Sequence, residues 1–338
     1  MSTSRAHRYL SSAAERRPRW TGRAAGLAVA LALLAGAPVA AQDYPARPIT
    51  IVVPFPAGGY ADAFARILGD RLGERLHQSI VIENRGGAGG NIGAAIVAHA
   101  NPDGYTLLVT TASIAVNETY YKSKNYAATD LRAIAIPAGS AETLSVSPND
   151  PAKTLADLVQ SGREKPFDYA SPGVGTSSHV AAAYFFKELA KIEPVQVPFQ
   201  GGAPAVNAVL GGHVRVLVGT LPGYAGQFRS KTIRGLAVAS EKRVPDFTDI
   251  PTYGEGGYPG YVAITWVGVF APAKLNDKIA TRLNAAINEI VREPATEAKL
   301  GTFSMQTTIR SLHDTETYFR DEIAKWGKMV TVLGIEAK

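Results

Sequence analysis

The 338-residue chain contains no cysteine. That excludes disulfide staples, thiolate catalysis and cysteine-held metals. Its six histidines, at 7, 77, 99, 179, 213 and 313, are scattered, and none has a partner at metal-ligand spacing. No pair of acids suited to glycosidase chemistry stands out. Low-complexity segments, short-period repeats and evident linkers are lacking too. Charge of one sign is also lacking once the N-terminus is set aside. The whole chain carries 35 Lys and Arg against 29 Asp and Glu; residues 1–41 hold six arginines and one glutamate, which leaves 29 against 28. A balance so even gives no electrostatic footprint for nucleic acid or an anionic membrane.

A membrane-length apolar run is missing as well. The longest, AAGLAVALALLAGA, falls short of the ~20 residues that span a bilayer. It follows Arg5, Arg8, Arg16, Arg17, Arg19 and Arg23 and precedes Val39-Ala40-Ala41. Basic leader, apolar stretch and small-residue site together read as a signal peptide cleaved after Ala41, which predicts export to the periplasm. Arg16-Arg17 is followed by Pro18 and Arg19, so the ordinary secretory route is expected rather than the twin-arginine one.

Beyond residue 42, short β-branched runs alternate with helical patterns. Strands are predicted at 49–53, 79–83, 105–110, 143–147, 167–171, 194–199, 214–219, 234–240 and 266–271. Between them, 62–77 sets Phe64, Ile67, Leu68, Leu72 and Leu76 on one helix face, and 277–292 does the same with Ile279, Leu283, Ala286, Ile287 and Ile290. Such alternation predicts an α/β fold built of βαβ units with mainly parallel sheet. Two of these units share a further feature. PFPAGGYAD (54–62) and YASPGVGTSSH (169–179) each pass from strand through a glycine-rich turn into a helix, which aims backbone amides at an anion. One such turn is a weak signal, because glycine often serves only a tight turn. Two suggest a ligand gripped from both sides.

Three chemistries compete for this pattern. A nucleotide site is disfavoured: no Gly-Lys-Ser/Thr follows PAGGYAD, and GGAGGNIGA misses the dinucleotide spacing by one residue. A serine hydrolase is disfavoured because Ser177, Ser178 and His179 are adjacent on one helix and point apart, and no G-x-S-x-G elbow exists. His179 reads as a local packing or hydrogen-bonding group, Thr176 and Ser177 as capping residues and anion donors, and Asp62 as a favourable charge in a first helical turn. A non-catalytic anion binder remains, using amides 57–61 and 173–178 with the hydroxyls of Thr176, Ser177 and Ser178. Hydrogen bonds to a charged group contribute roughly 1.5–3 kcal/mol each, so three or four reach micromolar affinity, about −8 kcal/mol, without an arginine.

The segments YPARPITIVVPFPAGGYAD, IENRGGAGGNIGA, NPDGYTLL, YASPGVGTSSH, VPFQGGAPAVNAVLGGHV, RGLAVASEKR, DIPTYGEGGYPGY, WVGVFAPA and EIAKWGK occur in this order. Together they resemble the tripartite tricarboxylate transporter receptors, also called Bug extracytoplasmic solute receptors, over essentially the whole mature chain. The resemblance implies a two-lobed periplasmic binding protein (type II-like), hinged around an interlobe ligand cleft. Lobe 1 would be residues 42–142 with 263–338 and lobe 2 residues 143–262, with crossings near LRAIAIPAGSAETL and ITWVGVF. It implies a monomer that is no enzyme, needs no cofactor or metal, and delivers a carboxylate to a permease of one large and one small subunit; a sensor kinase is the alternative partner. Carried over by position, ligand-binding residues would be Phe55, Ala57, Gly58, Gly59, Tyr60, Ala61 and Asp62 from the first loop. Ser113 and Asn117 would follow the third strand. Ser171, Gly175, Thr176, Ser177 and His179 would come from the second loop, Gly202, Thr220 and Leu221 from the lobe 2 wall, and Thr265 from the second crossing.

Three departures bear on specificity. Tyr60 stands where the family usually has a small residue, at the mouth of the first loop. Phe199-Gln200-Gly201-Gly202 replaces the common Tyr-Lys-Gly-Gly and loses a cation, and Gly219 replaces a frequent acid. These predict a more apolar and roomier cleft, suited to an aromatic or medium-length mono- or dicarboxylate rather than citrate or an amino acid.

Overall fold

The computed structural model describes residues 44–335, so the leader read over 1–41 lies outside the described residues. Strand β1 (Ile49–Val53) is fully apolar on its buried positions and pairs in parallel with β2 (Ile80–Asn84) and β3 (Thr106–Thr111). Helix α1 (Tyr60–Leu76) returns the chain from β1 to β2, burying Phe64, Ile67, Leu68, Leu72 and Leu76. Each such side chain contributes roughly 1.5–3 kcal/mol by leaving water. Helices α2 (Asn91–Ala98) and α3 (Ser113–Tyr120) follow β2 and β3.

The long strand β4 (Leu131–Val146) then changes partners partway along. Residues Leu131 to Ala141 pair antiparallel with β9 (Ile264–Pro272), which also pairs with β3. From Glu142 onward β4 pairs antiparallel with β7 (Val216–Thr220), and from Thr143 with β8 (Arg234–Val238). Around β7 lies a second parallel set, β5 (Asp168–Ser171) between β7 and β6 (Val195–Pro198). Its connections are α4 (Leu155–Glu164), α5 (Ser177–Tyr184), α6 (Gly202–Leu210) and α7 (Leu221–Arg229). The chain ends with α8 (Asp277–Arg292), α9 (Pro294–Gly301), the short β10 (Gln306–Thr307) and α10 (Leu312–Leu333).

The protein is thus a two-lobed α/β fold of the periplasmic-binding type. Its parallel ladders lie on either side of antiparallel ladders made by the crossing strands β4 and β9. All nine strands read from the sequence overlap an observed strand. No helix among the described residues is long and apolar enough to cross a membrane. The last helix is tied down by one buried acid. Glu322 accepts hydrogen bonds from the indole nitrogens of Trp266 in β9 (2.8 Å) and Trp326 (3.0 Å), and Lys325 pairs with its second oxygen at 3.1 Å.

Candidate ligand-binding site

The carboxyl ends of β1, β3, β5, β6 and β7 converge on one cavity of about 260 Å³. Clefts at the carboxyl ends of parallel strands are where α/β sheets expose helix starts, whose first amides have no intrahelical partner. The cavity's walls are supplied by five strand-to-helix turns. Phe55 to Ala61 lead into α1, and Thr111 and Ser113 into α3. Pro172 and Thr176 to Ser178 lead into α5, Gln200 to Pro204 and Val206 span the entry to α6, and Thr220 at the end of β7 leads into α7, which adds Gly223, Tyr224 and Gln227. At about 30 Å³ per water in the liquid, the space suits a small organic acid.

Local chemistry holds each turn. Gly58, at φ +80°, donates its amide to the Asp62 carboxylate (2.8 Å), which also accepts from Arg66 and Asn84. Thr176 caps α5, accepting from the His179 amide at 3.3 Å and donating to the Gly173 carbonyl at 2.8 Å. Beside the cavity, the second turn packs closely against neighbouring segments of the chain. A Cβ on Gly89 would stand 2.7 Å from the Val174 carbonyl, and one on Gly175 would stand 2.6 Å from the Tyr121 ring. Only glycine permits those approaches, and both residues lie at positive φ.

Of the sequence-predicted residues, Phe55, Ala57, Gly58, Gly59, Tyr60, Ala61, Ser113, Thr176, Ser177, Gly202 and Thr220 line the cavity. The others stand behind it. Asp62 fixes the first turn. Asn117 donates to the Gly89 carbonyl and to Asn91. Ser171 accepts from Gln196, Leu221 is wholly buried, and the hydroxyls of Thr265 and Ser177 bond at 3.0 Å. Gly175 and His179 belong to the reverse face of the turn. The Gly175 amide donates to His179 Nδ1, whose ring packs edge-on against Tyr120. Burial pulls the His179 imidazole down to about 4, so it is neutral. Its ring and the Ser177 hydroxyl therefore serve different neighbours, and the two form no nucleophile–base pair.

Two expectations are corrected. Tyr60 is not at the mouth of a loop: it is the first residue of α1, 6 % exposed, and its hydroxyl has no partner among the described residues. The space opened by Gly219 does not enlarge the cleft, because a Cβ there would lie 2.4 Å from the Tyr224 ring, which fills it. Apolar side chains are prominent in the wall: Phe55, Pro56, Ala57, Pro172, Ala203, Pro204, Val206 and Tyr224 contribute, and among the described residues it includes no Arg, Lys, His, Asp or Glu.

Sequence reasoning missed Glu142. This residue is 4 % exposed, directly beneath the start of α5. Ser177 Oγ donates to its Oε1 at 3.0 Å and Ser178 Oγ to its Oε2 at 2.7 Å. Burial pushes the Glu142 carboxyl up to about 7, against the two serine hydrogen bonds that lower it. Pro56, Thr111, Ala203, Pro204, Val206, Gly223, Tyr224 and Gln227 were missed too. Their position just after predicted strand ends was the available signal.

Comparison with known proteins points the same way. Residues 64–335 match the model of the family described as tripartite tricarboxylate transporter family receptor. Protein BugT of Bordetella pertussis is 34% identical over 319 residues, covering 93% of this chain and 97% of that one. The structure of R. palustris Rpa4515 with adipate is 34% identical with a TM-score of 0.83, over 87% of this chain and 99% of that one. MatC from Rhodopseudomonas palustris with bound malate is 28% identical with a TM-score of 0.80, over 85% and 100%.

Proposed function

Because the chain belongs to the tripartite tricarboxylate transporter receptor family, we propose that it captures a carboxylate in the periplasm and hands it to a membrane permease of one large and one small subunit. The observation that carries the reading is the cavity itself. Helix starts and the hydroxyls of Ser113, Ser177 and Ser178 gather on a wall rich in apolar side chains and, among the described residues, free of charged ones. Neutral donors hold one carboxylate, and the apolar surface favours an aromatic or medium-length acid over citrate, which crowds three charges and a hydroxyl onto a short skeleton. The relatives bound to adipate and malate support the carboxylate class. The change of β4 partners at Ala141–Glu142, with Glu142 N donating to the Ala263 carbonyl, supports lobes of residues 42–142 with 263–338 and of 143–262, closing about these crossings.

A thermal-shift panel of benzoate-type acids, C5–C8 dicarboxylates, malate, citrate and amino acids tests the reading. A ligand at ~100 Kd stabilises by about 2.7 kcal/mol. Shifts with the first two groups and none with citrate are expected; tight citrate binding with no response to the others contradicts the ligand class.

A further inference from the structure

Both oxygens of Glu142 are occupied by hydroxyls that also border the cavity, those of Ser177 and Ser178. An ionised carboxylate only accepts hydrogen bonds, so an ionised Glu142 draws both serine protons inward, away from the ligand. Among the described residues no cation offsets it: the titratable groups that feel its charge are Tyr60 from α1, Tyr224 from α7, and Tyr253 and Tyr261 from the chain before β9, all buried. From β9 the facing group is the Thr265 hydroxyl, bonded to Ser177; His179, further along α5, is turned to Gly175. A bound carboxylate would therefore sit one side chain away from a second, uncompensated carboxylate.

Resting on the carboxylate reading above, we propose that the receptor takes up one proton on Glu142 together with its ligand. The protonated acid keeps one oxygen as an acceptor and becomes a donor through the other. One serine then receives a hydrogen bond from Glu142 instead of giving one. Its own proton is released toward the ligand. The proton comes from solvent, no covalent bond is made, and the ligand carboxylate held in the cavity and Glu142 together carry one negative charge rather than two. Burial already raises this carboxyl to about 7, so the exchange falls around neutral pH. By reciprocity, protonation of Glu142 tightens ligand binding by the factor by which ligand raises its proton affinity, ~5- to 150-fold for typical couplings.

The test is titration calorimetry of the purified exported protein with adipate and with benzoate, in buffers of different ionisation enthalpy. From about pH 6.5 upward these probes stay ionised, so a proton taken up belongs to the protein. Wild type is expected to take up as much as one proton per ligand near and above neutrality, and to bind more weakly as pH rises. Glu142→Gln is expected to abolish the uptake and flatten the pH dependence. Ser178→Ala, which removes one donor to Oε2 and covers the case in which Glu142→Gln does not fold, is expected to move the uptake to higher pH. Binding without uptake in wild type, or uptake unmoved by these variants, overturns the proposal and leaves the receptor reading standing. If neither probe nor any acid of the thermal panel binds, both readings fall.

Discussion

The backbone amide of Ser177, at the start of α5, donates to the hydroxyl of Ser113, at the start of α3, over 3.2 Å. Thr111 Oγ1 donates to the same oxygen at 2.9 Å. A serine oxygen has two acceptor sites and one proton. Both acceptor sites of Ser113 are thus filled, and its proton remains for a ligand in the cavity it lines. Ser113→Ala is expected to weaken carboxylate binding about 10- to 150-fold, the equivalent of one charged hydrogen bond at roughly 1.5–3 kcal/mol, as read by titration calorimetry.

Tyr60 gives the opposite kind of prediction. Its buried hydroxyl lacks a partner among the described residues, and burying an unpaired hydroxyl costs about 1–3 kcal/mol. Tyr60→Phe should leave the ligand-free protein as stable as wild type or up to about 2 kcal/mol more stable, which moves Tm upward by some 2–4 °C per kcal/mol. A marked fall in Tm would mean that the hydroxyl is satisfied after all.

Glu142 and His179 shape the pH dependence of stability in opposite senses. The folded Glu142 carboxyl lies above its ordinary value, at about 7 because of burial, so the folded state holds more protons than the unfolded one between about pH 4.5 and 7. Stability from this group is full below that window and is lost as pH rises through it. His179 is held down at about 4 by burial, so its contribution is full above about pH 6.5 and is lost as pH falls toward 4. The two slopes oppose each other. Chemical denaturation between pH 4.5 and 8 should show a shallow profile for wild type, a loss of stability toward acid in Glu142→Gln, and a loss toward alkali in His179→Gln. Relative to wild type, Glu142→Gln should gain stability as pH rises from 4.5 to 8, by an amount on the order of 3 kcal/mol for a carboxyl displaced this far.

Glu322 is a structural acid, remote from the cavity wall. Glu322→Ala leaves two buried indole N–H groups without an acceptor, at a cost of about 2–5 kcal/mol. Urea unfolding should reveal that loss, and Glu322→Gln, which keeps a carbonyl oxygen, should recover much of it. The affinity for carboxylate should be the same in all three proteins.

How much of this was legible in the sequence depends on how far apart the interacting residues lie along the chain. Strand–turn–helix units announce themselves within about ten residues, so the two glycine-rich turns and the nine strands could be read directly. The first half of β4 was read only as a crossing. Register shifts between Ala133 and Ala135 and between Ala135 and Ala138 break its alternation, so period two is lost where a strand would be sought. Glu142 carries no local mark of burial; its partners are 35 and 36 residues away. Tyr224 fills the space beside Gly219 only because β7 runs straight into α7. The family-like segments also divide by role: PFPAGGYAD and YASPGVGTSSH border the cavity, whereas EIAKWGK supplies Glu322 and Trp326 to anchor the last helix.

The most direct test of the account is a crystal structure of the protein with whichever acid of the panel gives the largest thermal shift. The account predicts the ligand's carboxylate within about 3.2 Å of Ser113 Oγ and of first-turn amides of α1 and α5, with its tail against Phe55, Pro172, Pro204 and Tyr224. A carboxylate held elsewhere, such as the separate cavity beside Tyr120, Tyr169 and His179, would contradict it.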